Sequence, residues 1–332
     1  MVVPLGTDHK ILLSLRRPSA LFVAASSPDY SKAWVRDNIY EAMGLEAAGD
    51  HSFLRTYHAL FDVFRKHKAG LVHAAQQGDG AVPFKARYHP DTFDEFDGVW
   101  GNKQNDAVGL FLFKVGDLQR RGYPAIRDDE DRRILQHMVD YLDRSNYYSS
   151  PDHGVWEWVY EKHASSVGAC VAGLEKIRPF ANVKQELIEK GRAALSELLP
   201  RESPSKEVDL ALLSLVWPFD VAGEHSKRIV GDVEGKLLRN NGVIRYGSDH
   251  YWNMHGHGEP QWPLGLPWLA ITHKTLGDEA DWKTDLDKAD SLRLPDGSFP
   301  ELYHMDFGEP QPNPNSPLGW AHALYIVANN GN

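Results

Sequence analysis

The chain has 332 residues, 42% hydrophobic and 25% charged, an ordinary globular composition that excludes a disordered or fibrous protein. Asp and Glu outnumber Lys and Arg by 46 to 36, for a formal charge of -10. That balance argues against nucleic acid or a membrane surface as the main partner, because phosphate recognition needs concentrated basic side chains. The single cysteine, Cys170, excludes an internal disulfide and a cysteine-cluster metal site. With 10 Trp, 13 Tyr and 13 Phe at a mean hydropathy of -0.46, some rings are expected on a wet surface rather than in a core.

In chain order, residues 1–14 hold a short apolar run broken by Asp8, His9 and Lys10. The run lacks the basic start and long apolar stretch of a signal peptide, so a cytoplasmic location is expected. A helix is predicted to begin near Trp34. Across 51–68, Phe53, Leu54, Tyr57, Leu60, Phe61 and Phe64 form one apolar stripe at helical spacing. Ile134, Leu135, Met138, Tyr141 and Leu142 repeat the stripe, as do Val183, Leu187, Ile188, Leu195, Leu198 and Leu199. Segments 107–115 and 167–174 are instead apolar on nearly every side, the pattern of helices enclosed by protein. Enclosed and amphipathic helices in alternation predict an all-α architecture of two layers, an inner ring inside an outer one. Strand signals are scarce, with 242–246 the best short candidate. No apolar run reaches the roughly 20 residues that span a membrane. No Pro/Ser-rich linker interrupts the chain, so one domain over 1–332 is expected rather than the two that length suggests.

Loops 80–103, 147–160, 240–263 and 296–315 mix Gly or Pro with Trp, Tyr, His, Asp and Glu, and loops this long and aromatic are expected to be functional. Trp34-Val35-Arg36-Asp37-Asn38 offers a donor fork beside an acceptor, suited to paired hydroxyls; a helix-start acid with a solvated Arg is the plain alternative. In Trp100 to Asp106, the polar Gln104, Asn105 and Asp106 lead straight into an enclosed helix, where Asn105 or Asp106 could simply cap it. In Trp156-Glu157-Trp158, two flanking indoles are placed to desolvate a carboxyl and favour its protonated form; Glu161 is a rival, and a surface Glu beside packing Trp residues the plain reading. Glu301 is a loop carboxylate with Tyr303 two residues on. His250, His255 and His257 crowd one loop, which leaves zinc as a minor option. Phosphate-loop, dinucleotide, metalloprotease and serine-elbow motifs are absent from the sequence.

The order WVRDN, KQNDA, GVWEW before an Ala-Ser-Ser helix, GVIRY, GLPWLAI and PDGSFPELY before Gly-Trp-Ala-His resembles glycoside hydrolase family 15. This is the glucoamylase family, whose domain is shared with the phosphorylase kinase α and β subunits; the WVRDN and QWPL wording looks nearer to that subunit branch. The resemblance covers roughly 30–330. It implies an (α/α)6 barrel with its site in loops at one end, an oligosaccharide substrate and no cofactor or metal.

By the same resemblance, Glu157 matches the general acid and Glu301 the general base of an exo-acting, inverting α-glucoside hydrolase. Trp34, Arg36, Asp37, Trp100, Gln104, Asp106, Trp156, Trp158, Arg245, Tyr303 and Trp320 fall in the substrate-binding motifs. Trp158 stands where the family often carries a second acid, and Pro300-Glu301-Leu302 replaces its Glu-Gln pair. Inversion requires roughly 6.5–9.5 Å between the carboxyls so that water fits on the far face of the sugar. The alternative implied by the same branch is a non-catalytic carbohydrate-binding or regulatory module.

Overall fold

The computed structural model describes residues 5–78, 80–253, 258–306 and 308–330. Among these residues lie twelve α-helices: α1 (Leu5–Ser14), α2 (Val35–Ala47), α3 (Phe53–Lys66), α4 (Lys68–Gln77), α5 (Asn105–Arg120), α6 (Asp129–Arg144), α7 (Ala164–Ile177), α8 (Gln185–Leu198), α9 (Ser226–Leu237), α10 (Gly265–Leu276), α11 (Glu279–Ser291) and α12 (Gly319–Asn330). A ring closes inside them. Helix α2 packs on α5, α5 on α7, α7 on the 3₁₀ helix Leu210–Leu215, that helix on α10, α10 on α12, and α12 back on α2. Around the ring, α1 covers α12, α3 covers α2, α6 touches α5, α8 covers α7, α9 backs the 3₁₀ helix and α11 covers α10. The result is an (α/α)6 barrel in which a short 3₁₀ helix fills one inner place.

Burial follows the two sequence patterns. Helix α5 is buried without a break from Asn105 to Gly116, and α7 from Ala164 to Leu174, as segments enclosed on all sides must be. Outer helix α6 buries only its stripe of Ile134, Leu135, Met138, Val139, Tyr141 and Leu142, together with Asp131. Where α5 crosses α7 the backbones nearly touch: a methyl at Gly109 would sit 2.3 Å from the Ala169 carbonyl carbon. One apolar cluster runs from Leu12 to Ala328.

Three local details refine the sequence reading. The helix expected over 51–68 breaks at His67, whose backbone leaves helical geometry, and continues as α4. Strands are short but present, as antiparallel pairs: β1 (Ala33–Trp34) with β2 (Arg87–Tyr88), β3 (Leu238–Arg239) with β4 (Gly242–Val243), and β5 (Tyr303–Asp306) with β6 (Glu309–Pro312). The last pair folds part of the 296–315 loop into a hairpin. Finally, neither Asn105 nor Asp106 caps α5 with its side chain; Asp152, far along the chain, accepts the Asn105 N–H at 2.8 Å instead. No helix among the described residues is long and apolar enough to cross a membrane.

Candidate active site

The loops that enter the inner helices converge at one end of the barrel. Their side chains line a cavity walled by Trp34, Trp156, Trp262 and Trp320, with Arg36, Asp37, Glu157, Arg245 and Glu301 among its polar groups. Residues 34–37 stand at the start of α2, Trp262 and Leu264 just before α10, and Leu318 to Trp320 at the start of α12. Helix starts present unpaired N–H groups and partial positive charge, so buried carboxylates are well placed there. Asp209 caps the 3₁₀ helix by accepting from Ala211, and Glu202 accepts from the Ser165 backbone N–H at 3.1 Å and hydroxyl at 2.6 Å at the start of α7. Inside the barrel, Tyr40 stacks on Trp320 at 4.7 Å and Trp268 lies 5.6 Å from the same ring. These rings pack the barrel interior alongside the cavity wall.

Glu301 is 1% exposed and held by three donors. Tyr30 Oη donates to Oε1 at 2.5 Å, while Asn313 Nδ2 and Asn315 Nδ2 donate to Oε2 at 2.5 and 2.7 Å. Burial pushes this carboxyl above the usual range; the three donors and the Arg245 charge pull it back. The loop is fixed from below. The Phe299 N–H donates to His322 Nε2 at 3.0 Å, and His322 Nδ1 meets Asp8 at 2.7 Å. Asp8 in turn pairs with Arg293, which also donates to the Gly297 carbonyl.

Glu157 sits at a positive φ of 63°, a conformation that costs a non-glycine residue and is commonly kept where a side chain must be aimed. Its Oε2 accepts from the Trp100 indole at 2.6 Å and the Trp34 indole at 3.3 Å; its Oε1 has no hydrogen bond and lies 3.6 Å from Arg36 Nη1. The indoles bonded to this carboxylate are therefore not its sequence neighbours. Trp156 turns its N–H to Asp209 at 2.7 Å, and Trp158 is 74% exposed, because successive side chains of a tight turn diverge. Gly101 lets the Trp100 loop lie against the Glu157 backbone, where a Cβ would be 2.4 Å from the carbonyl oxygen.

Arg36 is buried and fixed by Asp106 at 2.6 Å and Gln104 at 2.7 Å. Gln104 and Asp106 thus act on the cavity through Arg36 and are not part of its wall. Asp37 faces the cavity, and its carboxyl is pushed up to about 7, first by burial and then by the Glu157 and Glu301 charges, against the pull of Arg36. Arg245 is gripped by both Asp249 oxygens at 2.7 and 2.8 Å and lies 4.5 Å from the Trp262 ring centre. A second hollow is lined by Tyr251 and the exposed Val99 and Trp158; it shares Tyr30, Trp100, Trp156, Glu157 and Arg245 with the inner one. Glu157 therefore stands at the junction.

The structure brings Trp34, Arg36, Asp37, Trp100, Trp156, Glu157, Arg245, Glu301 and Trp320 to the inner cavity and leaves Trp158 at its mouth. Tyr303 lies outside both: its hydroxyl donates to the Leu292 carbonyl at 2.9 Å, since strand β5 turns it away from Glu301. Glu161 is also elsewhere, bonded to Ser203 and Ser205. His250 is exposed, and His255 and His257 lie outside the described residues. Sequence reasoning missed Tyr30, Trp262, Asn313 and Asn315. Only the Asn-Pro-Asn run at 313–315 gave a local signal, as two amides spaced to share one partner.

The inner cavity thus gathers the indoles of Trp34, Trp100, Trp156, Trp262 and Trp320, the guanidinium groups of Arg36 and Arg245, and the carboxyls of Asp37, Glu157 and Glu301. Comparison with known proteins gives the family: the model of glycosyl hydrolases family 15 matches residues 11–329, and the chain belongs to that family. Among curated proteins it is similar to a probable phosphorylase b kinase regulatory subunit alpha of Caenorhabditis elegans, 26% identical across 93% of this chain and 31% of that one. It is also similar to the liver isoform of that subunit from Mus musculus, at 26% across 96% of this chain and 32% of the other. The chain thus spans about a third of the length of these relatives. Among solved structures, a wild-type glycosidase superposes with a TM-score of 0.80 at 23% identity, covering 98% of this chain and 94% of that one. A glucoamylase from Saccharomycopsis fibuligera superposes at 0.64 and 15% identity, covering 98% and 94%. These likenesses show the fold.

Proposed function

We propose that the protein is an exo-acting, inverting α-glucoside hydrolase that releases glucose from the non-reducing end of oligosaccharides. The observation that carries this reading is the meeting of Glu157 and Glu301, from loops distant in sequence, on one cavity with Arg36, Asp37 and Arg245. Glu157, at the junction of the inner and outer hollows, protonates the glycosidic oxygen as the bond to the leaving sugar breaks. Glu301, ionised and aimed by Tyr30, Asn313 and Asn315, takes a proton from water attacking the anomeric carbon on the opposite face. Arg36, Asp37 and Arg245 orient the terminal glucosyl unit, and the ring-packed barrel interior supports cleavage of one end unit over mid-chain cleavage. No cofactor enters the scheme.

The related kinase subunits supply the second reading, a regulatory module that binds carbohydrate without cleaving it. A binder has no use for a proton donor and a water-activating base in one cavity, so the two carboxyls favour the hydrolase. The test is turnover of maltose, isomaltose, trehalose and maltotriose by the wild type, Glu157→Gln and Glu301→Gln, with folding followed by circular dichroism. Loss of at least about 100-fold in kcat for each folded variant is expected, on the scale of acid–base catalysis. Near-normal turnover by both variants overturns the assignment, and tight binding by the wild type without any product favours the regulatory module.

A further inference from the structure

We propose that Glu234, His273 and Asp285 form a divalent-metal site joining α9, α10 and α11 at the end of the barrel remote from the sugar cavity. One ligand atom from each residue lies within 4.8 Å of the other two. His273 Nε2 is 3.1 Å from Glu234 Oε1 and 3.6 Å from Asp285 Oδ2. An ion bound at about 2.0–2.1 Å by tetrahedral nitrogen and oxygen ligands separates them by about 3.3 Å, so these side chains need only small adjustments to hold one.

The second observation is Asp285 itself. It is 5% exposed, and its Oδ2, which faces His273, has no hydrogen-bond partner. A buried carboxylate oxygen without a donor is costly, and a cation is the partner this position suits. Lys288, one turn along α11, is not placed as that partner, because its Nζ donates to the Arg239 carbonyl at 2.7 Å. His273 is likewise 5% exposed, whereas the Glu234 side chain is 33% exposed, leaving a solvent side from which water completes the coordination shell. One imidazole and two carboxylates fit Zn²⁺ and its first-row neighbours better than Ca²⁺ or Mg²⁺. A neighbouring set, His273 with Asp278 and Asp281, is less suitable because Asp278 already caps α11 by accepting the Asp281 N–H.

Glu234 sits in an outer helix, His273 in the last turn of an inner one and Asp285 in the outer helix that follows. A single ion therefore links both layers of the wall. His273 is eight residues beyond Gly265, the start of α10, which places the site about 12 Å along the helix from the cavity end. Metal occupancy is expected to raise stability and leave sugar chemistry untouched.

The test is calorimetric titration of chelator-stripped protein with Zn²⁺, thermal unfolding with and without the ion, and the visible spectrum of the Co²⁺ form. One ion per chain is expected, with a raised Tm and the intense visible bands of low-coordinate Co²⁺. His273→Gln and Asp285→Asn should weaken Zn²⁺ binding by at least about 10–100-fold, the scale seen even for groups that only support metal ligands. Glu234→Gln, at the solvent edge, gives the same comparison in a fold that the substitution barely touches. The proposal is overturned by a wild type that binds no stoichiometric Zn²⁺, which would leave protonation as the answer to the buried carboxylate. It is equally overturned by undiminished binding in Glu234→Gln together with any folded His273 or Asp285 variant, which would put the ion elsewhere.

Discussion

Asp37→Asn separates what the cavity costs the fold from what it does. The Asp37 carboxyl is pushed up to about 7 from an ordinary 3.8, mainly by burial, with Glu157 and Glu301 adding to the shift. A carboxyl raised in the native state contributes stability that is complete below pH 3.8 and is lost as pH rises through 7. At no more than about 1.4 kcal/mol per pH unit, the loss across that window is on the order of 4 kcal/mol. Asparagine has nearly the same shape and no charge to bury, so the variant escapes the loss. Urea unfolding at pH 4, 5, 6, 7 and 8 should show the variant gaining on the wild type by roughly 1 kcal/mol per unit up to pH 7, then levelling off. Activity should move the other way, because a sugar hydroxyl loses its carboxylate acceptor; such opposition is common where a site is kept at the expense of stability. Parallel stability curves across the series would refute the reasoning.

Tyr30→Phe removes one of three donors to Glu301, which raises the carboxyl's pKa and moves the acidic limb of the kcat profile to higher pH. A fall in kcat of about 10-fold is expected, on the scale of a charge-assisted hydrogen bond; an unmoved limb would mean that Tyr30 does not tune the base. Trp158→Ala, at the exposed mouth, should raise KM for longer oligosaccharides about 10-fold or less while sparing disaccharides, and equal effects on both would remove Trp158 from substrate binding. Gly109→Ala forces α5 away from α7 and should cost about 1–3 kcal/mol in chemical unfolding. An unchanged midpoint would mean that the crossing relaxes at no cost.

The fold was legible because burial leaves a mark on periodicity. Segments 107–115 and 167–174 lack a polar face and became α5 and α7 of the inner ring, while the one-sided stripe through Ile134 and Met138 became outer α6. The inner place filled by Leu210–Leu215 is a short 3₁₀ helix, and its apolar run alone does not reveal that geometry. The site was legible only where chemistry was concentrated in one loop. Glu157 and Glu301 were each visible as loop carboxylates, but the partners that define them come from elsewhere in the chain. Trp34 and Trp100 reach Glu157, and Tyr30 reaches Glu301. Such pairings are created by the ring closing, not by spacing along the chain. Tyr303, placed among the site residues by the family resemblance, lies in the β5–β6 hairpin with its hydroxyl on the Leu292 carbonyl instead.

The most direct test of the proposed chemistry is proton NMR of the first sugar released by the wild type from an α-linked oligosaccharide, recorded before mutarotation equilibrates the anomers. Glu301 activating water on the face opposite Glu157 yields β-glucose as the initial product. α-Glucose as the initial product would contradict inversion and remove Glu301 from its role as base.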